Sequence, residues 1–390
     1  VLRKILDPTP LLYNRWLSEK YNCDLFLKLE SMQPIGSFKI RGAAYKISKL
    51  TAQQRKKGVV AASAGNHAQG VAFGAVIFKT HATIVMPTTA PLTKIQQTRA
   101  LGAEIILEGM NYDEAYLAAQ KLVLKTGKIL IHPYEDADII AGQGTIGLEL
   151  FEQLSELDVV IGSLGGGGLM AGVGTSLKAL CPTVKIIGAQ AEGACNLVKS
   201  LRTGKATSTG YANTFADGIK VIRTSQNMVN ILKSVIDKTA TAKDEAIAAA
   251  ILTLMEKAKV LAEGAGALPL AVLHSIQKQV RKKKVVLIIS GGNIDVNVLA
   301  RIIDRGLIVS GRRVRLNVWI KDRPGSLNRL TDLLAQFGAN VLQVIHDRDM
   351  PSAGLDETGV ELTLETRGES HSRDIVQALK NQVVRLELLH

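Results

Sequence analysis

Short hydrophobic runs alternate with longer amphipathic stretches along most of the chain, from about Asp24 to Ile308. The hydrophobic runs have the length of buried strands, and the amphipathic stretches repeat with the period of helices. Strands are predicted at residues 24–29, 58–62, 82–86, 104–107, 158–162, 184–189 and 285–289. Helices are predicted at residues 38–50, 67–78, 91–101, 111–126, 142–154, 169–180 and 243–259. This alternation indicates βαβ units, so we expect an α/β fold with parallel sheets covered on both faces.

The pattern changes after Gly311. Residues 313–320 alternate between apolar and polar side chains, as in a half-exposed strand. After a turn at 321–326, a helix is predicted at 327–337, strands at 340–347 and 359–366, a loop at 350–354, a helix at 371–382 and a strand at 384–389. This βαββαβ order is typical of a ferredoxin-like module. We therefore place a domain boundary near residues 308–313.

Composition and charge narrow the function classes. Hydrophobic residues make up 46% and charged residues 21% of the 390-residue chain, so it can bury large cores. Aromatic residues make up only 4%, which argues against a protein that stacks nucleic-acid bases. The net charge of +13 comes from scattered basic residues, and the clusters at 55–57 and 281–284 are interpreted as solvated helix ends or loops. We expect anionic small-molecule ligands and no nucleic-acid partner.

Three cysteines, Cys23, Cys181 and Cys195, have no paired spacing. This excludes a disulfide scaffold and a cysteine zinc site, and it fits a reducing cytosol. The N-terminal region has no stretch of signal-peptide form. The uncharged stretch at 159–177 contains too many glycines for a membrane-spanning helix. We expect a cytoplasmic protein that does not associate with membranes.

Lys39 occupies a position where a charged lysine is electrostatically unfavourable. Ser37 is predicted to cap a helix, which places Lys39 in the first helical turn. The helix dipole puts partial positive charge there, Arg41 adds to it, and no acid compensates. The mismatch favours a neutral amine, the form that a Schiff base requires. The alternative is an ordinary solvated lysine.

Two further segments follow predicted strands and open predicted helices. Ser63, Ala64, Gly65, Asn66 and His67 form the first, where Ser63 and the following amides suit an anion or act as an ordinary helix cap. His67 is interpreted as a packing residue more readily than as a catalyst. The second is the glycine run Gly165, Gly166, Gly167 and Gly168 before Leu169, which favours a phosphate site. Residues 166–171 also fit the G-x-G-x-x-A dinucleotide pattern, with Glu192 as the ribose-binding acid. A nicotinamide or flavin enzyme is therefore an alternative interpretation of this segment.

Two polar residues are expected at the same edge of the sheet. Ser290 ends the buried strand at 285–289 and is followed by two glycines, so its hydroxyl faces the ligand crevice. Glu263, in a glycine-rich and alanine-rich segment, points there or caps a helix.

Taken together, these segments resemble the fold type II (tryptophan synthase β-like) pyridoxal-phosphate enzymes, and among them the threonine dehydratases, also called threonine ammonia-lyases. The resemblance covers about Thr9 to Ile308 and rests on four motifs, at residues 37–43, 63–70, 165–169 and 290–293. It implies a catalytic domain at 1–310, with a small subdomain at about 42–141 and a large subdomain formed by about 1–41 and 142–310. The tail, at 313–390, resembles a single ACT domain through residues 322–327 and 338–341.

The resemblance assigns roles to matching residues. Lys39 would bind pyridoxal 5′-phosphate covalently and act as general base, with Phe38 against the cofactor ring. Asn66 would contact the ring's 3-oxygen, and Ser290 the pyridine nitrogen. Residues assigned to the phosphate, the ring and their surroundings are Gly165, Gly166, Gly167, Gly168, Leu169, Gly218 and Glu263. The loop Ser63–His67 would bind the substrate carboxylate, with Ser63 also placed among the catalytic residues.

The reaction implied is the conversion of L-threonine to 2-oxobutanoate and ammonia, and of L-serine to pyruvate, as in isoleucine biosynthesis. Serine racemases resemble this sequence but carry a serine where Ala64 stands, so dehydration is favoured over racemisation, which stays an alternative. Asn196 and Val198 replace the downstream acid of the racemases' metal site near Glu192. No metal site is therefore predicted, although a monovalent cation held by backbone carbonyls would leave no motif.

The ACT-like tail implies allosteric regulation by an amino acid. ACT domains usually pair, so the effector would bind at a subunit interface formed by Asp322, Pro324, Gly325, Ser326 and Asn340. Pathway logic favours isoleucine or valine as the effector, with the sign of regulation open. The expected assembly is a homo-oligomer, a tetramer built as a dimer of dimers.

Overall fold

The protein is described by a computed structural model that covers residues 1–350 and 353–389. The chain separates into two compact units, Val1–Ile294 and Asp295–His390. Each unit has its own hydrophobic core. The predicted bounds of the domains and subdomains stay predictions.

A six-stranded sheet forms the larger part of the first unit. Its strands are β1 (Leu11–Tyr13), β2 (Asp24–Leu29), β7 (Val159–Ser163), β8 (Lys185–Ala191), β9 (Lys238–Ala242) and β10 (Lys284–Ile289). Their order is β1-β2-β10-β7-β8-β9, and every pair is parallel except β1 with β2. Residues 285–289 of β10 are all buried, as expected for a central strand covered by helices on both faces.

A four-stranded parallel sheet forms the rest of this unit. Its strands are β3 (Val59–Ala62), β4 (Ala82–Met86), β5 (Glu104–Leu107) and β6 (Ile129–Leu130), in the order β5-β4-β3-β6. β3 and β4 are fully buried. The first unit therefore contains two open parallel sheets.

Thirteen α-helices are described in the first unit. They are α1 (Arg15–Tyr21), α2 (Lys39–Ser48), α3 (Ala52–Lys57), α4 (Asn66–Ile77), α5 (Leu92–Ala100), α6 (Tyr112–Thr126), α7 (Ala137–Gln153), α8 (Gly168–Leu180), α9 (Asn196–Thr203), α10 (Gln226–Val235), α11 (Asp244–Thr253), α12 (Gly264–Ala271) and α13 (Gln277–Val280). Helices α2 and α7 approach very closely, since a Cβ added at Gly142 would lie 2.6 Å from the Arg41 carbonyl oxygen and from the Gly42 Cα.

The second unit begins with α14 (Val296–Val309) and continues as an antiparallel sheet with two helices. The strands are β11 (Arg313–Lys321), β12 (Asn340–Asp347), β13 (Glu357–Glu365) and β14 (Arg385–Leu389), in the order β12-β13-β11-β14. Helices α15 (Ser326–Gln336) and α16 (Glu369–Lys380) share the hydrophobic core with alternate residues of β11 and β13. The predicted βαββαβ order is confirmed, although residues 351 and 352 of the predicted loop lie outside the described part.

The predicted α/β fold class is confirmed, and all seven strands predicted before residue 308 are present within two residues of their bounds. The helix predicted at 243–259 is shorter, because α11 ends at Thr253 and a π-helical turn follows at Leu254–Ala258. Strands β1, β6 and β9 were not predicted. Two of them have only two or three residues, too few to show a hydrophobic period.

Candidate active site

Lys39 is the first residue of α2 and lies beside the carboxyl end of β10. The Phe38 N–H donates to the Ser290 carbonyl oxygen at 3.0 Å, and Ser37 pairs with Gly291 in an isolated β-bridge. The chain segment before α2 is thereby attached to the end of the central strand. Lys39 and Ser290, which are far apart in sequence, are brought to one edge of the sheet, where open α/β sheets bind their ligands.

The Lys39 amine is partly buried and donates a hydrogen bond from Nζ to the Pro133 carbonyl oxygen at 2.8 Å. Burial lowers the pKa of Lys39 to about 8, although the charge of Glu263 opposes this effect. A neutral fraction of the amine is therefore present near neutral pH. This is the form that attacks a carbonyl carbon or accepts a proton.

Two details predicted around Lys39 are wrong. Ser37 does not cap α2, because Phe38 is the N-cap residue and the Ser37 hydroxyl is buried without a hydrogen-bond partner. Arg41 is compensated by acids, since its guanidinium binds the carboxylates of Glu30 and Glu149. These acids come from distant parts of the chain, so the local sequence around Arg41 did not reveal them.

The glycine run leads from β7 into α8. The helix begins at Gly168, one residue earlier than predicted, and Gly167 has a φ of +94°, a conformation that favours glycine. A Cβ added at Gly166 would lie 2.2 Å from the Tyr134 ring, and one at Gly168 would lie 2.7 Å from the Tyr134 carbonyl oxygen. Leu169 follows as a buried residue in the first turn. The run thus leads into a helix N-terminus whose amides have no side-chain cap, an arrangement that binds phosphate.

The segment Pro133-Tyr134 connects Lys39 with the glycine run. Pro133 accepts the hydrogen bond from Lys39, and the adjacent Tyr134 packs directly against Gly166 and Gly168. The amine and the glycine run therefore belong to one site. Sequence reasoning missed Pro133 and Tyr134, although an X-Pro step soon after β6 was the available signal.

The segment after β3 is partly exposed at Ser63, Ala64, Gly65 and Asn66. The Ser63 hydroxyl accepts a hydrogen bond from the Gly65 N–H at 3.1 Å. It does not cap α4, which begins at Asn66 with Gly65 as its N-cap residue. Ser63 therefore shapes a tight turn that leaves the N-terminal amides of α4 without a side-chain cap. Such amides are available to a carboxylate.

His67 is buried, and its Nε2 lies 2.8 Å from the Ile131 carbonyl oxygen. A carbonyl oxygen only accepts, so Nε2 carries the proton. Burial lowers the pKa of His67 to about 3, and the charge of Lys39 adds to this effect. His67 is therefore a neutral packing residue at the base of the loop, in line with the interpretation from sequence.

Replacing His67 by glutamine is expected to make the protein less sensitive to acid. The pKa of His67 is about 3 in the folded protein and about 6.5 when unfolded, so the unfolded chain binds more protons between these values. As the pH falls from 6.5 to 3, the free energy of unfolding should therefore fall by up to about 1.4 kcal/mol per pH unit because of this residue. Urea unfolding at several pH values, with the exposed His81→Gln as control, measures the slope. Equal slopes in wild type and His67→Gln would refute this assignment.

Asn66, Glu263 and Asn293 form a hydrogen-bonded chain across the site. Asn66 Nδ2 donates to Glu263 Oε1 at 2.8 Å, and Asn293 Nδ2 donates to Asn66 Oδ1 at 2.8 Å. Glu263 is the N-cap residue of α12 but makes no capping hydrogen bond, so its side chain is directed toward Asn66. Burial raises the pKa of the Glu263 carboxyl, although the hydrogen bond from Asn66 opposes this.

Gly218 and Ser290 complete the site. A Cβ added at Gly218 would lie 3.2 Å from Glu263 Oε1, and one at Gly165 would lie 3.0 Å from the Gly218 carbonyl oxygen. Gly218 therefore lies between the glycine run and Glu263. Ser290 is buried, and its carbonyl oxygen accepts the hydrogen bond from the Phe38 N–H. The structure thus brings together all the predicted cofactor-binding residues, and their roles stay predictions.

The predicted effector residues lie in the second unit. A cavity of about 390 Å³ is lined by Asp322, Pro324, Gly325 and Ser326, together with Arg323 and Arg348. Asn340 is not part of this lining and instead donates to Glu365 Oε2 at 3.0 Å. Four of the five predicted residues therefore share one cavity.

The described residues show neither a metal site nor a membrane-spanning helix. Within 1–350 and 353–389, no group of three or more histidine, cysteine, aspartate or glutamate side chains is placed to hold a metal ion. None of the helices in this part of the chain combines the length and the apolar character needed to cross a bilayer.

Comparisons with known proteins agree with this site. A family model described as pyridoxal-phosphate dependent enzyme matches residues 2–291. L-threonine ammonia-lyase of Thermotoga maritima is 48% identical over 97% of this chain and 94% of the relative, and that of Geobacter sulfurreducens is 40% identical with the same coverage.

The chain is also similar in fold and sequence to solved structures. Threonine deaminase isoform 2 of Solanum lycopersicum is 36% identical with a TM-score of 0.75, covering 78% of this chain and 84% of that one. Maize serine racemase is 32% identical with a TM-score of 0.74, covering 79% and 95%.

Proposed function

Because the chain belongs to the family of pyridoxal-phosphate-dependent enzymes, we propose that it converts L-threonine to 2-oxobutanoate and ammonia, and L-serine to pyruvate and ammonia. One observation carries the proposal. The Lys39 amine, with a pKa of about 8, is connected through Pro133-Tyr134 to a glycine run, in a chain that is similar along 97% of its length to L-threonine ammonia-lyases.

The residues present fit the cofactor. The glycine run packs closely against Tyr134, where a Cβ at Gly166 or Gly168 would collide, so the groups that the run offers a phosphate are its backbone amides. Gly165, Gly166, Gly167, Gly168 and Leu169 would hold the phosphate. Lys39 would hold the aldehyde carbon, while Phe38, Asn66, Gly218, Glu263 and Ser290 would surround the ring.

When bound, pyridoxal phosphate supplies an electron sink for negative charge on the substrate's α-carbon. Lys39 would hold the cofactor through Nζ, and the same amine is the base that would accept the substrate's α-proton. The Pro133 carbonyl oxygen orients this amine. The amides after Ser63 bind the substrate carboxylate. Loss of the β-hydroxyl as water, followed by hydrolysis, gives the oxo acid and ammonia.

Two residues favour elimination over racemisation. Ala64 has no hydroxyl that could deliver a proton to the second face of the α-carbon. Ser290 presents a neutral hydroxyl, which cannot keep a pyridine nitrogen protonated as a carboxylate would, so a long-lived carbanion is disfavoured. Together, these residues favour expulsion of the β-hydroxyl.

Product analysis of the purified holoenzyme tests the proposed reaction. With L-threonine, we expect 2-oxobutanoate and ammonia in equal amounts, and with L-serine, pyruvate and ammonia. Chiral chromatography of the remaining amino acid separates a lyase from a racemase. Formation of the D-amino acid without an oxo acid would overturn the proposal.

We further propose that residues 313–390 are an ACT domain that binds an amino-acid effector, with isoleucine and valine as first candidates. The cavity beside β11 is lined by the cations Arg323 and Arg348 and the anion Asp322, which suit the two charges of a free amino acid. Arg348 Nη2 donates to Asp322 Oδ1 at 3.3 Å, so an effector would exchange this pair for its own carboxylate and ammonium. We also propose that the chain has a catalytic domain at 1–310 and that it assembles as a cytoplasmic homotetramer. Light scattering with and without effector measures the size of this assembly.

Replacing Asp322 by alanine is expected to raise the half-maximal effector concentration by at least about 10-fold. A lost hydrogen bond to a charged group costs roughly 1.5 kcal/mol or more. The activity without effector should stay within about 2-fold of wild type, because Asp322 belongs to the second unit and Lys39 to the first. The control is Asp332→Ala on α15, outside the cavity lining. An unchanged effector response in Asp322→Ala would exclude this cavity as the effector site.

A further inference from the structure

Four charged side chains form a buried cluster between β2, α2 and α7. Arg41 donates from Nε and Nη2 to the two Glu30 oxygens at 2.7 and 2.8 Å, and from Nη1 and Nη2 to the two Glu149 oxygens at 2.5 and 2.8 Å. Lys28 Nζ donates to Glu149 Oε2 at 2.5 Å. The side chains are between 0% and 8% exposed. Two cations and two anions therefore balance in the interior.

The remaining polar atoms of the cluster also find partners. Thr9 Oγ1 donates to Glu30 at 2.6 Å, Lys28 donates to the Thr9 carbonyl oxygen and to Gln153, and Arg41 Nη1 donates to Thr145 Oγ1 at 3.1 Å. Burial would raise the pKa of Glu149, but Arg41 and Lys28 outweigh it and hold this pKa below its usual value. The carboxylate is therefore ionised across the neutral range.

A buried ion cluster adds little net stability, because desolvation offsets most of the attraction. Its geometric effect is larger. The guanidinium forms a planar fork that engages two carboxylates at once, and this fixes its orientation as well as its position. The cluster therefore restricts rotation of the helix that carries Arg41.

That helix also carries Lys39, two residues before Arg41. Successive residues in a helix are about 100° apart, so these two side chains project to roughly opposite sides of α2. Lys39 extends to Pro133 on one side, and Arg41 enters the cluster on the other. Any rotation of the first turn of α2 would move both together.

We propose that Arg41, Glu30 and Glu149 are positioning residues that hold the first turn of α2 in the rotation that places the Lys39 amine for reaction. The proposal rests on the proposed function insofar as Lys39 carries the cofactor. Arg41 touches none of the residues assigned to substrate, and it acts through the helix. Tight packing at Gly142 limits translation of α2 toward α7, and the cluster limits its rotation.

Arg41→Lys is the main test, because it keeps the charge but removes the fork. A displacement of the amine by about 1 Å is expected to lower kcat by roughly 100-fold, with KM changed by less than about 3-fold. The rate at which added pyridoxal phosphate becomes attached to Lys39, measured by mass spectrometry after borohydride reduction, should fall by about 10-fold or more. In the apo protein, amide hydrogen exchange should accelerate in the first turn of α2.

Two further variants separate positioning from stability. Lys46→Gln is the matched control, because Lys46 also joins α2 to α7, through Asp136 and Asp138, but lies seven residues from Lys39 and is partly exposed. It should lower the melting temperature slightly and leave attachment unchanged. Thr145→Val removes one hydrogen bond to Arg41 and replaces Arg41→Lys as the test if that variant does not fold. It should slow attachment of the cofactor to Lys39 by about 2- to 5-fold.

Attachment depends on the cofactor alone, so this readout is independent of which amino acid is the substrate. If Arg41→Lys or Thr145→Val attaches the cofactor at the wild-type rate with an unchanged kcat, the cluster has only a structural role and the proposal is wrong. If attachment slows but threonine is not a substrate of the wild type, the positioning role stands and the proposed function fails.

Discussion

Lys39→Ala is expected to abolish turnover of threonine, together with the visible absorbance of the Schiff base. The variant lacks the amine that binds the aldehyde and the base that accepts the α-proton. Loss of a general base alone costs roughly 10²- to 10⁴-fold, and loss of covalent binding adds to this, so kcat should fall by at least about 10³-fold. Steady-state assays of oxo-acid formation and an absorbance spectrum of the purified protein measure both effects.

The control for this experiment is Lys46→Gln, which removes another lysine of α2 whose partners are Asp136 and Asp138. It should retain its absorbance and nearly all its activity. The holoenzyme should also lose its visible band on reduction with borohydride, because the C=N bond to Lys39 becomes a C–N bond, and Lys39→Ala has no such bond to reduce. Normal activity in Lys39→Ala would refute the assignment of the catalytic residue and with it the proposed reaction.

Gly168→Ala is expected to weaken cofactor binding by about 100-fold or more. The added Cβ would lie 2.7 Å from the Tyr134 carbonyl oxygen and 3.0 Å from the Tyr134 Cα, so backbone must move where the phosphate binds. Loss of two amide hydrogen bonds to a charged phosphate, at roughly 1.5 kcal/mol each, corresponds to a factor of this size. Titration of the apo protein with pyridoxal phosphate, followed by absorbance, gives the dissociation constant.

Gly174→Ala separates loss of affinity from loss of stability. Gly174 lies in the same helix, and its added Cβ would lie 2.7 Å from the Val235 side chain, away from the glycine run. This variant should unfold at a lower temperature but bind the cofactor with nearly wild-type affinity. If both variants lose affinity equally, the glycine run is needed for packing of α8 and does not determine phosphate binding.

Much of the fold could be predicted from the sequence because the hydrophobic periodicity of short segments indicates strands and helices. The buried run at 285–289 became the central strand β10, and the alternating run at 313–320 became β11 within one residue. Short elements such as β6 were missed, since two residues contain no period. The helices that were predicted start within two residues of their predicted starts, except α7, which begins at Ala137, five residues before. Helices such as α10 (Gln226–Val235) and α14 (Val296–Val309) were not predicted.

Part of the candidate site could also be predicted from local sequence patterns. Lys39, the glycine run and Ser290 each stand at the junction of a predicted strand or helix with a loop, where the residue type conflicts with a purely structural role. Pro133 and Tyr134 show no such conflict of residue type and were marked only by the X-Pro step, yet they connect the amine to the glycine run. The acids that pair with Arg41 are 11 and 108 residues away along the chain.

The amino-acid sequence by itself determined which segments form strands and helices, and which side chains could react, because these depend on neighbours within a few residues. The tertiary structure alone decided which partner each charged or polar side chain meets. Burial of Arg41 with Glu30 and Glu149, and the lowered pKa of Lys39, arise only when distant segments exclude water from the same volume.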